Sequence, residues 1–108
     1  MNINELRRTQ KFLRAARQLD PDLTVQRLMV LLEIAIQGEI TQGALVKAVG
    51  QNRSACSKNV ASWTALTSRK TRGPGFVRSD LDPMNMSTRV LSITEKGSHA
   101  LGQLTEGL

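Results

Sequence analysis

The sequence predicts a mainly α fold carrying a small β-hairpin. Five stretches repeat apolar residues at helical spacing, most of them opened by a capping residue. Two short runs late in the chain read as strands and flank a turn-rich connection. A length of 108 residues suits one domain, 1–108, with one modest core.

The first helix covers residues 3–19. Leu6, Phe12, Leu13, Ala16 and Leu19 fall on one arc, and Arg7, Lys11 and Arg14 line the opposite face. Asp20-Pro21-Asp22 stops it, because a residue before proline disfavours the helical region. Thr24 caps a second helix over 25–37, whose Leu28, Leu31, Leu32, Ala35 and Ile36 form a broad apolar face that places it centrally. Gly38 closes it. After a short extended piece at Glu39-Ile40, Thr41 caps a third helix over 42–49, with Leu45, Ala48 and Val49 inward and Gly50 at its end. Asn52 caps a fourth over 53–67, with Cys56, Val60 and Trp63 as the inward stripe. Arg69 to Gly75 is a basic loop containing Gly and Pro. The strands are Phe76-Val77-Arg78-Ser79 and Arg89-Val90-Leu91-Ser92-Ile93, joined through the turn formers Asp80, Asp82, Pro83 and Asn85. Thr94 caps a last helix to Leu104, with Ala100, Leu101 and Leu104 inward. That order describes a winged helix-turn-helix. Residues 1–20 form an amphipathic N-terminal helix, 41–67 the helix-turn-helix and 76–93 the β-hairpin wing.

The charge points to a polyanionic partner: Lys and Arg exceed Asp and Glu by 15 to 9, a net +6. Aromatic residues are only Phe12, Trp63 and Phe76, too few for the stacking platforms of single-strand binders. The one cysteine, Cys56, makes no disulfide within the chain, and with the one histidine, His99, it offers no metal site. No cofactor and no enzymatic activity are expected, since no nucleophile, base and orienting acid come together. Asp80, Asp82 and Glu95 suit turns and a helix start better than a paired-carboxylate site. Residues 2–18 are polar and no run approaches the roughly 20 apolar residues of a membrane span, so a cytoplasmic protein without membrane contact is expected.

With Cys56, Val60 and Trp63 inward, the fourth helix turns Arg53, Ser54, Ser57, Lys58, Ala61 and Ser62 outward. No acidic residue occurs from Arg53 through Lys70. Solvated helix faces usually mix both signs, whereas a phosphate-lined groove repels carboxylates. Asn52, Arg53, Ser54, Ser57, Lys58 and Ser62 are therefore the candidate contacts to double-stranded DNA, with Arg53 suited to bidentate contact with guanine. Arg69, Lys70, Arg72, Arg78 and Arg89 surround the strands and are candidates for phosphates or a narrow minor groove. Cys56 lies on the inward stripe, where a thiol behaves as a small hydrophobe rather than a redox sensor.

Thr24 to Gln26, the Gly38-Glu39-Ile40-Thr41 turn, Ser57-Lys58, and Asp82-Pro83 through Ile93-Thr94-Glu95-Lys96-Gly97 resemble the multiple-antibiotic-resistance regulator (MarR) family. The last of these is similar to the family's Leu-Thr-x-x-Gly after the wing. The resemblance implies a dimeric transcriptional regulator, often a repressor, with its recognition helix in the major groove and its wing at the minor groove. Ser57 and Lys58 fall on the family's serine and basic residue. Asn85, Met86 and Ser87 stand where the family usually has Asp and two basic residues near the wing tip, so Arg89 or Arg78 would have to substitute. The segment from Thr64 to Gly75 is longer than the family's usual joint, and the family's long C-terminal helices find no counterpart before Leu108. A homodimer would then pair through the first and last helices. The expected function is a sequence-specific DNA-binding transcriptional regulator, a repressor. The alternatives are a plasmid or phage replication or partition accessory, and a winged helix used for protein–protein contacts.

Overall fold

Helix starts in this chain coincide with side chains that can take up free N–H groups. The computed structural model describes residues 1–66, 71–106 and 108. Its helices are α1 (Ile3–Leu19), α2 (Val25–Gln37), α3 (Gln42–Val49), α4 (Arg53–Ala61) and α5 (Glu95–Leu104). Asn2, Thr24, Thr41, Asn52 and Thr94 cap them in turn, each side-chain oxygen accepting a first-turn N–H. Gly38 and Gly50 close α2 and α3 at φ of 77° and 66°, a region that strains any residue with a Cβ.

The strands are β1 (Glu39–Thr41), β2 (Val77–Asp82) and β3 (Asn85–Ile93), antiparallel in the order β1-β3-β2. Ile40 and Ser79 both lie opposite Leu91. Because side chains alternate across a strand, these three share the face that meets the helices, and Leu91 is fully buried there. The core gathers Val30, Leu31 and Ile34 from α2, Leu45 and Val49 from α3, Cys56 and Val60 from α4, and then Trp63, Phe76, Val77, Leu101 and Leu104. Trp63 and Phe76 stack with ring centroids 5.8 Å apart.

Three sequence-based expectations are corrected. First, α4 stops at Ala61 instead of continuing to 67. The Ser62 hydroxyl donates to the Asn59 carbonyl at 2.6 Å, and the N–H groups of Trp63 and Thr64 bond back three residues. This tightening turns the chain, so that Trp63 enters the core from a turn and its carbonyl accepts the N–H groups of Phe76 and Val77. Residue 67, the last of the expected extension, lies outside the described residues.

Second, the hairpin is longer than expected, and only Pro83 and Met84 remain between its strands. Asp80 pairs with Val90 and Leu81 with Arg89 in the ladder, and exposed strand positions tolerate polar residues. Turn chemistry is confined to the tip, where the Asp82 carboxylate accepts the Met84 N–H at 2.9 Å. Third, Ala48 is exposed and Val46 is half-buried in its stead. At about 100° per residue, Val46 and Ala48 flank the Leu45–Val49 stripe equally on opposite sides, and the Val46 side is the one packed against the core.

The apolar arc of α1 is mostly uncovered. Leu6 and Leu13 are 49% and 55% exposed, and Leu19 is exposed too. Among the described residues, the C-terminal half of α1 meets α5 and the body, through Phe12, Ala15 and Ala16. Every residue from Met1 to Lys11 is exposed.

Candidate nucleic-acid interface

α3 and α4 are joined by Gly50, Gln51 and Asn52. Gln51 holds this turn on both sides: its side-chain amide donates to the Gln26 carbonyl at 3.0 Å and its carbonyl oxygen accepts from the Asn59 amide at 2.8 Å. The start of α4 is thereby fixed against α2. Sequence reasoning did not single out Gln51 or Asn59. The only available signal was two amides close to a helix-turn-helix bend.

Arg53, Ser54, Ser57 and Lys58 are all exposed on the outer side of α4. Asn52 is exposed, and its side-chain oxygen holds the Ala55 N–H at 2.8 Å as a helix cap. Ser62 is placed differently. It is half-buried, accepts from Arg27 Nε at 2.9 Å and donates to Asn59, so it faces α2 and not the outer side. Ala61, expected outward, is half-buried in a groove between α4 and β2.

The wing residues separate by strand face. Arg89 has the same parity as Leu91, so it lies on the side of the hairpin turned toward the helices. There it lines one cleft of about 340 Å³ together with Arg53 of α4, Gln42 and Gly43 at the start of α3, and Ser87 and Thr88 of β3. It also borders the groove that contains Ser57. Arg78 has the opposite parity, on the face of Val90 and Ser92, where it pairs with Asp80 at 3.3 Å. Arg72 is exposed beside an isolated bridge to Leu66. Arg69 and Lys70 lie outside the described residues. The structure therefore sets Arg89 between two adjoining hollows, one shared with Arg53 and the other with Ser57, while Ser54 and Lys58 are exposed on the same helix and the ion-paired Arg78 and Asp80 border the Ser57 groove. Gln42 and Gly43 were not foreseen there. They reach it because α3 begins immediately after β1, next to β3.

Arg27 holds the far end of α4. Its guanidinium lies 4.7 Å from the Trp63 ring centre, pairs with Asp20 at 2.6 Å and donates to Ser62. The Trp63 indole N–H donates to the Arg27 carbonyl at 2.8 Å. A planar cation suits such stacked, forked contacts. Burial alone would raise the Asp20 pKa. The Asp22 N–H, and the hydrogen bond and charge of Arg27, outweigh that effect and hold it below its ordinary 3.8. A carboxyl depressed by folding stabilises the fold fully above its unfolded pKa and loses that contribution as pH falls through the folded value. Asp20→Asn is therefore expected to melt lower than the parent at neutral pH. The gap should persist down to about pH 5 and close below about pH 4. Thermal melts of both proteins across that range check this, and a gap independent of pH would refute it.

Cys56 is fully buried in the core, and burial pushes its thiol up, away from the reactive thiolate. Among the described residues, no helix is long and apolar enough to cross a membrane.

No protein-family model matches the chain. No curated protein sequence matches it significantly. Solved structures do resemble it. A cysteine-to-serine variant of MarR from E. coli complexed with operator DNA aligns with a TM-score of 0.70 at 17% identity, covering 97% of this chain and 68% of that one. The protein RV1404 from Mycobacterium tuberculosis aligns at 0.73 and 18% identity, covering 92% and 62%. Reduced AbfR bound to DNA aligns at 0.69 and 12% identity, covering 91% and 62%. The chain spans about two thirds of the length of these proteins. Its fold is a MarR-type winged helix.

Proposed function

We propose that this chain is a sequence-specific, double-stranded-DNA-binding transcriptional regulator that represses by occluding a promoter. The observation that carries this reading is the acid-free outer face of α4 set across one cleft from Arg89 of the wing. Among the described residues, no carboxylate lines the cleft between Arg53 and Arg89, which would face phosphates, and cations stand on both sides of it. The E. coli MarR and AbfR structures of the same fold were determined with DNA, which supports the assignment.

In this reading α4 enters the major groove. Arg53 makes bidentate contact with a guanine, the Ser54 and Ser57 hydroxyls bond base edges or phosphates, and Lys58 meets the backbone. Arg89 holds the neighbouring phosphates. Two chains pair through the uncovered Ile3, Leu6 and Leu13 of α1 together with α5, placing two half-sites about 34–36 Å apart.

Selection of duplexes from a random library by the purified protein tests the proposal. A palindromic site is expected to emerge. Arg53→Ala is expected to relax the preference at one guanine and weaken the site by about 1–3 kcal/mol, while Arg72→Ala weakens all duplexes alike. A library that shows no enrichment would refute sequence-specific binding.

A further inference from the structure

The wing tip is apolar. From Leu81 through Thr88 there is no Lys or Arg, and the one charge, Asp82, has its carboxylate tied to the Met84 N–H. Met84 is 92% exposed, Met86 64% and Leu81 43%. At about 3.3 Å per residue, the turn stands roughly 15 Å beyond the Ser79–Leu91 pair where the hairpin leaves the core. Single exposed apolar residues are ordinary on a protein surface. Three of them, with Pro83, on the end of a projecting two-stranded arm are not covered by any described part of the chain.

We infer that this tip is an apolar wedge: Met84 and Met86 insert against a base step of the minor groove and bend the duplex. The inference rests on the DNA-binding reading above. Its location supports it, because Ser87, Thr88 and Arg89 of the same strand line the cleft that contains Arg53. A duplex seated on α4 therefore meets the wing along β3, with the tip at the adjoining groove. A tip without cations gains nothing from the negative potential of a narrow groove. Unbranched, flexible methionines can instead bury themselves between partly unstacked bases, as apolar wedges do in other minor-groove binders. Arg89 anchors a phosphate, and the methionines open the step beyond it. The contact selects for deformable steps such as TA or CA, and not for stiff A-tracts.

The test uses a library-enriched duplex of about 30 base pairs, end-labelled for energy transfer and carrying 2-aminopurine at the step facing the wing. The parent protein is expected to raise the 2-aminopurine emission and shorten the end-to-end distance. Met84→Ser/Met86→Ser is expected to lose both signals and about ten-fold in affinity, while keeping the base preference set by α4. Both positions are exposed, and an unchanged melting curve confirms that the variant is folded. Unchanged bending and affinity in that variant, with binding weakened and the guanine preference relaxed in Arg53→Ala, would overturn the wedge and leave the DNA-binding reading standing. Failure of the parent to bind any duplex would overturn both. A concentration-dependent gain in molar mass that the double variant abolishes, with bending intact, would assign the tip to contact between chains and overturn the wedge.

Discussion

Trp63→Ala is expected to lower the unfolding free energy by about 3–5 kcal/mol, the range for truncating a large buried aromatic. Trp63 is 1% exposed, stacks on Phe76 and lies under the Arg27 guanidinium. Its removal leaves a cavity, deprives the Arg27 carbonyl of its indole donor and leaves the guanidinium facing empty space. The position is also mechanical. Its carbonyl accepts the N–H groups of Phe76 and Val77, so one residue ties the end of α4 to the start of the wing. The melting temperature should fall by about 12–20 °C. Trp63→Phe should recover roughly half the loss, because it restores the ring but not the indole donor. A loss below about 1 kcal/mol in the alanine variant, measured by urea unfolding, would contradict this account.

Gly97→Ala is expected to cost about 2–3 kcal/mol, although alanine is the better helix former. Gly97 lies in the first turn of α5, pressed against the start of β2. An added Cβ would overlap the Phe76 carbonyl oxygen and lie 2.7 Å from Ile93 Cδ1. Neither neighbour can yield easily. The Phe76 carbonyl already accepts the Thr94 N–H at 2.9 Å, and Ile93 packs on the core. The Thr94 hydroxyl adds to the clamp, donating to the Gly75 carbonyl at 2.7 Å while capping the Gly97 N–H. This explains physically why the Thr-x-x-Gly spacing follows the wing: it lets a helix start against a strand. As a control, Gly102→Ala should stabilise or be neutral, since nothing lies within 4 Å of an added Cβ there. Equal melting temperatures for the two variants would refute the argument.

Local chemistry was legible from the sequence, and long-range pairing was not. Thr24, Thr41, Asn52 and Thr94 cap helices because their side chains act on N–H groups two or three residues away, which any sequence window contains. The inward stripe of Cys56, Val60 and Trp63 was also legible, but Trp63 is buried from a turn. Periodicity identifies which residues go inside without fixing the backbone that takes them there. In α1 the periodicity showed an apolar arc and could not show that the chain leaves most of it uncovered.

Arg78 and Arg89 looked equivalent in sequence. Their faces depend on the hairpin register, which is set by a two-residue turn together with a register shift at Leu81/Asp82, and the turn formers spread from Asp80 to Asn85 marked neither. Arg27 resembled any helix-surface arginine. Its partners are Asp20 nearby and Ser62 and Trp63 some 35 residues away. Ser62 was assigned to the outer face for the same reason, since its acceptor role toward Arg27 has no local signature.

The central claim is that α4 and Arg89 form one DNA-binding surface. The affinity of the library-enriched duplex as a function of salt concentration tests it most directly, for the parent and for Arg53→Ala, Lys58→Ala, Arg89→Ala and Arg78→Ala. The account expects a steep fall in affinity with salt for the parent. The logarithmic slope should shrink by about 0.9 for each phosphate-contacting cation removed among Lys58 and Arg89, and Arg53→Ala should lose affinity and base preference. Arg78→Ala should change the slope less than Arg89→Ala, because Arg78 has the opposite strand parity and its charge is paired with Asp80, although both border the Ser57 groove. A slope unchanged by Lys58→Ala and Arg89→Ala but reduced by Arg78→Ala would contradict the account and place the duplex on the other side of the wing.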